Sequence, residues 1–188
     1  MTTIDKNEIA RLTEEHGGVW GINHTRRLLH LVDLIGEGMQ YDVDAVWLAA
    51  HLHDWGAYKP WVQDGVDHVQ RSLEVVETFL TEHGYPEEFK LKVLECIREH
   101  HSSHSNMSTE AILLRDADVL DFLGVVGILR DFSKSPKDLR KGYETTKKRR
   151  EKLPKTLFFE KSQELAKTRL RQMDKFLAIF ETDSFGCF

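Results

Sequence analysis

Hydrophobic positions recur at helical spacing along almost the whole chain. Leu28, Leu31 and Ile35, for example, fall on one side of a helix that we expect over residues 23–39. Residues 160–180 keep the same period toward the carboxyl end. No stretch alternates convincingly between apolar and polar residues, as a half-buried strand would. The pattern therefore predicts an all-α fold with few or no strands.

Residues that favour helix ends divide this pattern into eight predicted helices. The first two cover 5–16 and 23–39, the second of them capped by Asn23. The next three begin at Asp42, Asp67 and Pro86. The last three cover 118–131, begin between Ser135 and Asp138, and cover 160–180. Gly17 and Gly18 end the first helix, and Gly84 ends the fourth. The least regular stretches, 55–66 and 102–109, both follow histidine-bearing helix ends, where functional loops tend to lie.

The composition is that of an ordinary soluble globular protein, with 40% hydrophobic and 30% charged residues. A net charge of −5 gives no strong nucleic-acid signal and argues against binding to an anionic membrane. It is compatible with a small phosphorylated substrate, because a bound metal supplies local positive charge. No apolar run reaches the roughly 18 residues of a spanning helix, and no signal peptide is evident, so we expect a cytoplasmic protein. The oligomeric state is not indicated.

The segment 141–155 is rich in lysine and arginine. It is either a solvated helix face or a patch that steers phosphate toward the active site. Cys96 lies on an apolar stripe and is interpreted as a small core residue.

Histidine and aspartate side chains fall on the apolar faces of five predicted helices. His24 lies in phase with Leu28. The adjacent pair His53 and Asp54 lies in phase with Ala50. The same phase directs His68, His100 and Asp118 toward the core. Because a buried imidazole or carboxylate is costly unless paired or coordinated, several of them together favour a shared metal ion.

A single in-phase histidine is more often a hydrogen-bonded core residue than a ligand. The pair His53 and Asp54 is different, because it ends an apolar helix and is followed by Gly56 and Lys59, a pattern that packing does not explain. Two histidines and two aspartates also leave open positions for water and substrate, which is typical of a catalytic metal site.

The order of these residues resembles the H…HD…D pattern of the HD-domain superfamily. His24 is followed by His53 and Asp54 in LAAHLHDWGAYK, and then by Asp118 in LRDADVLDFLG. Further motifs resemble the small bacterial metal-dependent HD phosphohydrolases over roughly residues 20–180: Arg27 in H-x-x-R, His68 and Ser72 in H-x-x-x-S, CIREHH before a serine-rich loop, and the closing helices.

The resemblance implies a single compact HD-domain helical bundle with additional C-terminal helices. We expect one domain over residues 1–188, with the metal-site core at about 20–131 and the C-terminal helices at about 135–180. The resemblance also implies that His24, His53, Asp54 and Asp118 bind a divalent ion, which is Mn, Fe, Co, Ni, Zn or Mg. Asp54 would additionally orient the attacking water.

The remaining candidates have open roles. His68 is either a general acid or a ligand of a second metal, with His100 or His101 as its companion and His100 favoured by phase. Lys59 is a candidate for catalysis and, with Arg27 and His100, for substrate binding. Lys59 also fits an exposed loop, and Arg27 fits an ion pair with Asp54 or another acid. His101 and His104 fit a helix end that runs into a polar loop.

Four further histidines, His16, His30, His51 and His83, are interpreted as structural. Asp121 is a candidate for a contact with the metal ligands or for a salt bridge. Trp55, Tyr58 and Trp61 either stack on a base or anchor their loop.

The expected function is metal-dependent hydrolysis of a phosphate ester or anhydride in a small molecule such as a nucleotide. The alternatives are a non-catalytic metal- and nucleotide-binding helical module and a di-iron HD oxygenase, which needs a complete second metal site. Val119 and Phe122 stand where some HD nucleotidases have a lysine and a tyrosine. The triphosphate-binding mode of those relatives is therefore not carried over.

Overall fold

The computed structural model describes residues 5–102 and 106–188, and all the secondary structure in these ranges is helical. The α-helices span Lys6–Ile35 (α1), Val43–Leu52 (α2), His68–Glu82 (α3), Glu87–Glu99 (α4), Thr109–Asp121 (α5), Gly124–Ser133 (α6), Leu139–Lys152 (α7) and Glu160–Asp183 (α8). Short 3-10 turns occur at Trp55–Ala57 and Leu153–Thr156. The all-α prediction is confirmed.

Three of the predicted helix starts are capped by the aspartates that the sequence suggested. Asp42 accepts a hydrogen bond from the backbone N–H of the third helical residue of α2, at 3.1 Å. Asp67 accepts two such bonds at the start of α3, and Asp138 accepts one at the start of α7. Each cap satisfies backbone donors that have no partner inside the helix.

The first two predicted helices form one longer helix with a kink. Gly18 has a φ of 63° and a ψ of −170°, which breaks the helix where the glycine pair predicted an end. The chain resumes helical geometry directly afterwards, so Asn23 lies inside α1 and the prediction that it caps a helix is wrong. The helix also ends at Ile35, short of the predicted residue 39.

The prediction of one helix over 118–131 is also wrong. α5 begins at Thr109, where the Ser108 hydroxyl accepts a hydrogen bond from the Ala111 N–H at 3.2 Å. It ends at Asp121, and α6 begins at Gly124, whose φ of 80° marks the break between the two helices. The serine-rich sequence before α5 predicts a loop up to residue 109, whereas Ser108 caps the helix. Asp118 therefore lies in the last turn of a helix and not at the start of one.

The chain divides into two compact units, residues 1–115 and 116–188, with the boundary inside α5. In the first unit, α2 packs against α1 and α4, and α3 packs against α4 and the Trp55–Ala57 turn. The fully buried side chains of Leu28, Leu48, Leu80 and Ile97 belong to this core. Cys96 is also fully buried, as interpreted from the sequence.

In the second unit, α6 packs against α7 and α8. The Asp116 carboxylate accepts hydrogen bonds from the backbone N–H groups of Phe158 and Phe159, which ties the segment before α8 to α5. Tyr143 on α7 stacks against Phe180 on α8. The expectation of one domain over the whole chain stays a prediction.

None of the helices in the described ranges combines the length and the apolar character that a membrane span requires.

Candidate metal centre

Within the first unit, the end of α2 faces a histidine of α1. The rings of His24 and His53 have centroids 5.3 Å apart, and each residue is only 2% exposed. Asp54 Oδ2 lies 3.9 Å from His24 Nε2 and 3.5 Å from His53 Nε2. Three of the four predicted ligands thus direct ligand atoms toward one point.

The termination of α2 explains how the adjacent pair is presented. α2 ends at Leu52, and the His53 backbone N–H still donates to the Ala49 carbonyl at 2.9 Å. His53 Nδ1 lies 2.9 Å from the Ala50 carbonyl oxygen. Because a carbonyl only accepts, Nδ1 carries the proton and Nε2 keeps its lone pair, which is the form of imidazole that binds metals.

His100 has the same arrangement at the end of α4. Its Nδ1 lies 2.6 Å from the Ile97 carbonyl oxygen, so its Nε2 also keeps a lone pair. The residue is buried, and its ring centroid lies 5.1 Å from that of His53. The ligand atoms of His53, Asp54 and His100 all lie within 4.8 Å of one another. Sequence phase directed His100 inward but did not reveal that it approaches the His53–Asp54 pair.

His100 also belongs to a second group of imidazoles. The ligand atoms of His68, His100 and His101 lie within 4.8 Å of one another, with His68 partly exposed and His101 exposed. His68 is the first residue of α3, and its ring centroid is 5.1 Å from that of His101. The three candidates for a second metal are therefore neighbours. His104 lies outside the described residues.

A tight contact fixes the loop after the His53–Asp54 pair against the start of α3. The Gly56 N–H donates to the Ser72 hydroxyl at 2.8 Å. A Cβ on Gly56 would lie 2.3 Å from the Ser72 nitrogen and 2.4 Å from the His68 oxygen, so only glycine fits. The serine of the H-x-x-x-S motif thus links the loop to the helix turn that carries His68.

The aromatic residues of that loop anchor it to the first unit. Trp55 is almost fully buried, and Trp61 stacks on it with a centroid separation of 4.5 Å. Tyr58 lies against Gly17 and Gly21 of α1, close enough to exclude a Cβ at either position. These contacts favour the anchoring interpretation.

The two positively charged candidates for substrate binding differ in exposure. Lys59 is exposed on the loop, and Arg27 is half-buried on α1.

Three of the histidines interpreted as structural have backbone or aromatic contacts of their own. His51 Nδ1 lies 2.9 Å from the Trp47 carbonyl oxygen, and its ring packs on the Trp47 ring. Burial lowers the pKa of His51 to about 4, so it is neutral near pH 7. His83 contacts the Phe79 carbonyl, and His16 meets Trp61 edge to face. His30 is exposed.

The fourth predicted ligand, Asp118, belongs to the second unit. It is buried in the last turn of α5. Asp121, three residues later, forms a buried ion pair with Arg130 of α6, which is the salt-bridge alternative that the sequence left open.

The donor set of the first unit fits a divalent ion. Imidazole nitrogens with their lone pairs preserved and a carboxylate oxygen are the ligands that Mn, Fe, Co, Ni and Zn accept. Asp54 is 27% exposed, so this carboxylate is partly open to solvent. This combination is typical of a catalytic metal site, which keeps a position open to solvent.

The sequence pattern of the HD domain matches residues 21–123, more than half of the chain, and the chain belongs to this family. The matched stretch contains His24, the His53–Asp54 pair and Asp118. HD domains are metal-dependent phosphohydrolases, and their members bind divalent metals. The fold is accordingly that of an HD-superfamily hydrolase.

Solved structures support this assignment. A predicted HD superfamily hydrolase from an uncultured Thermotogales bacterium is 25% identical, with 95% of this chain and 92% of that chain covered and a TM-score of 0.69. Bacillus subtilis YpgQ in complex with ADP is 24% identical, with 94% and 93% covered and a TM-score of 0.74. A Bacillus thuringiensis HD-superfamily hydrolase is 21% identical, with 94% and 95% covered and a TM-score of 0.72. The last two likenesses concern the fold alone. No protein of curated function matches this sequence significantly.

Proposed function

We propose that this protein is a phosphohydrolase that uses a divalent metal ion to hydrolyse a phosphate ester or anhydride of a small molecule, a nucleotide in particular. The observation that carries the proposal is the convergence of His24, His53 and the partly exposed Asp54 on one point. Membership of the HD family supplies the class of reaction.

The proposed ligands of the ion are His24, His53, Asp54 and Asp118. The first three are supported by their mutual distances, and Asp118 by its burial and by its position within the residues that match the HD domain. When bound, a divalent ion lowers the pKa of water and offsets charge that develops on phosphoryl oxygens. His100 is a further candidate ligand, because its Nε2 is oriented by the same kind of backbone contact as that of His53.

Asp54 has a second role in this proposal. Its carboxylate accepts a hydrogen bond from the attacking water, orients it toward phosphorus and takes up its proton. The partial exposure of Asp54, between two buried histidines, is what allows water to be held there.

His68 is proposed as the proton donor to the leaving oxygen. It stands at the first position of α3, partly exposed, and the Gly56–Ser72 hydrogen bond holds that helix turn beside the loop that follows Asp54. In the alternative role, His68 joins His100 and His101 as ligands of a second ion, and their ligand-atom distances are compatible with it. Lys59 and Arg27 are proposed to meet the phosphate, Lys59 as a mobile point charge and Arg27 as a fork of N–H donors.

A nucleotide is the proposed substrate because a protein of the same fold, Bacillus subtilis YpgQ, has been solved in complex with ADP. The exposed Lys59 and the half-buried Arg27 provide charges suited to its phosphates.

A substrate screen tests the proposal. Nucleoside mono-, di- and triphosphates are incubated with the protein under several divalent ions, and released phosphate and pyrophosphate are measured. We expect release that depends on the metal and is lost in Asp54→Ala. Asp64→Ala is the matched control, because Asp64 is an exposed aspartate ten residues further along the same loop region.

The alternatives predict different outcomes. Activity that never exceeds the Asp54→Ala level on any substrate would contradict hydrolysis and favour a non-catalytic module. Two bound irons per chain together with oxygen uptake would favour a di-iron oxygenase.

A further inference from the structure

The second unit contains a buried cluster of charges around one aromatic ring. The guanidinium carbons of Arg130 and Arg149 each lie 4.1 Å from the ring centroid of Phe122. Arg130 pairs with Asp121 and Arg149 with Asp131, and both carboxylates are almost fully buried. Two arginines from different helices are thus held on the ring of a residue in the turn that follows α5.

The two arginines are held differently. Arg130 has an 8% exposed side chain and contacts Asp121 through Nη1, at the outer end of the guanidinium. Arg149 has a 23% exposed side chain and contacts Asp131 through Nε, the inner nitrogen, at 3.2 Å. A guanidinium has five N–H donors in a planar fork, so the contact through Nε leaves other donors on the same group. Arg149 is therefore held by Asp131 through Nε, and part of its side chain is exposed.

Phe122, on whose ring the Arg149 guanidinium lies, is one helical turn from Asp118. The Phe122 N–H donates to the Asp118 carbonyl at 3.3 Å, so the two residues are stacked along one face at the end of α5. Burial lowers the pKa of Arg149, and the negative charges of Asp131 and Asp118 act in the opposite direction. An arginine remains protonated even so.

Arg150, the next residue on α7, is held differently from Arg149. Arg150 directs both Nε and Nη2 to the two oxygens of Asp174, at 2.7 and 2.9 Å. Its fork is therefore occupied in an exposed ion pair. Arg149 differs from Arg150 in lying on the ring of Phe122, which follows Asp118 by one helical turn.

We propose that Arg149 binds the phosphoryl oxygens of the substrate beside Asp118. This rests on the proposed function, in which Asp118 is a metal ligand. A phosphate bound there is met by the outer nitrogens of one planar guanidinium, a bidentate geometry that a lysine does not provide. Asp131 and Phe122 act as positioning residues, because they hold the guanidinium at its inner nitrogen and its face. Within the basic segment 141–155, one residue thus acts on the substrate and the exposed remainder is a solvated face.

The test compares Arg149→Gln, Arg149→Lys and the matched control Arg150→Gln with the wild-type protein, all loaded with the metal that supports activity. Binding of inorganic phosphate is measured by calorimetry, and KM and kcat are measured on the best substrate. We expect Arg149→Gln to weaken phosphate binding and raise KM by about tenfold or more, the effect of losing a hydrogen bond to a charged group. Arg149→Lys should recover part of this loss, and Arg150→Gln should match the wild type.

A variant that leaves Asp131 buried without its arginine can unfold for that reason alone. The double variant Arg149→Gln/Asp131→Asn removes both charges, and thermal unfolding checks that it is folded. If it binds phosphate as tightly as the wild type, Arg149 does not bind substrate. A wild-type protein that hydrolyses no phosphate compound would contradict the proposed function instead, and phosphate calorimetry would still decide the role of Arg149.

Discussion

Two polar clusters of this protein compensate the energetic cost of burying polar groups in different ways. In the second unit, Asp121 and Asp131 are each paired with an arginine of the same unit, so the protein supplies its own neutralising charges. In the first unit, His24, His53 and Asp54 direct ligand atoms toward one point. The first solution balances charge within the protein and fixes its arginines in place, and the second prepares a site for a cation. A cluster of buried polar residues therefore indicates a ligand site when acceptor atoms face one another with no donor paired to them inside the cluster.

The largest expected effect distinguishes Asp118 from Asp116, two residues earlier on α5: loss of the first should reduce activity, and loss of the second should reduce stability. In Asp118→Ala we expect hydrolysis to fall about a thousandfold, because a Lewis acid contributes several kcal/mol to the transition state and about 1.4 kcal/mol is worth tenfold. The loss of stability should be small by comparison. Steady-state kinetics and chemical unfolding of the same preparation measure both.

Asp116→Ala is the counterpart. Its carboxylate accepts hydrogen bonds from Phe158 and Phe159, and removing it should cost about 1.5–3 kcal/mol of unfolding free energy. If Asp118→Ala retains full activity, Asp118 is not a ligand, whatever Asp116→Ala does.

The next largest effect concerns the ion pairs of the second unit. Arg130→Met leaves Asp121 buried without its partner and should destabilise the protein by about 3–5 kcal/mol. Arg130→Met/Asp121→Leu should recover most of this, because both charges are removed together. Urea unfolding of the two variants decides the point, and a double variant as unstable as the single one would show that the cluster contributes more than charge balance.

A smaller effect is expected where the loop after Asp54 meets α3. Ser72→Ala removes the acceptor of the buried Gly56 N–H and should cost about 1–3 kcal/mol. Since that contact also fixes the helix turn of His68, kcat should fall as well. Thr78→Ala is the control, because the Thr78 hydroxyl is exposed on the same helix and donates to the Glu74 carbonyl. Equal effects of the two substitutions would remove the special role of Ser72.

The smallest effect belongs to the exposed pair of Arg150 and Asp174. Arg150→Ala should change the unfolding free energy by about 0–1 kcal/mol, because water and salt screen exposed ion pairs. A loss as large as that of Arg130→Met would mean that burial does not distinguish the two arginines. Thermal unfolding at low and high salt measures the difference.

The parts of the site that the sequence predicted are those fixed by local helical period. His24, His53 and Asp54 lie in phase with apolar residues of their own segments, so their inward direction follows from the sequence. The approach of His100 to His53 does not, because it depends on how α4 packs against α2. Phase along one helix carries no information about distances between helices.

The errors in the fold have similar causes. Gly18 breaks α1 as its sequence suggested, yet the helix resumes without a new cap. Ser108 caps α5, but it stands in a serine-rich stretch in which any of several residues is an equally good cap. In both cases the local signal was present, but it did not determine where the helix continues or begins.

Metal binding by the His53–Asp54 pair is the central claim, and a calorimetric titration tests it most directly. Mn²⁺ or Zn²⁺ is added to chelator-treated protein and to the variants His53→Ala and His30→Ala, the second being an exposed histidine on α1. We predict saturable binding to the wild type and to His30→Ala, and an affinity about 100-fold lower or worse in His53→Ala, which loses a direct ligand. Equal affinity in all three proteins would contradict the assignment of this site.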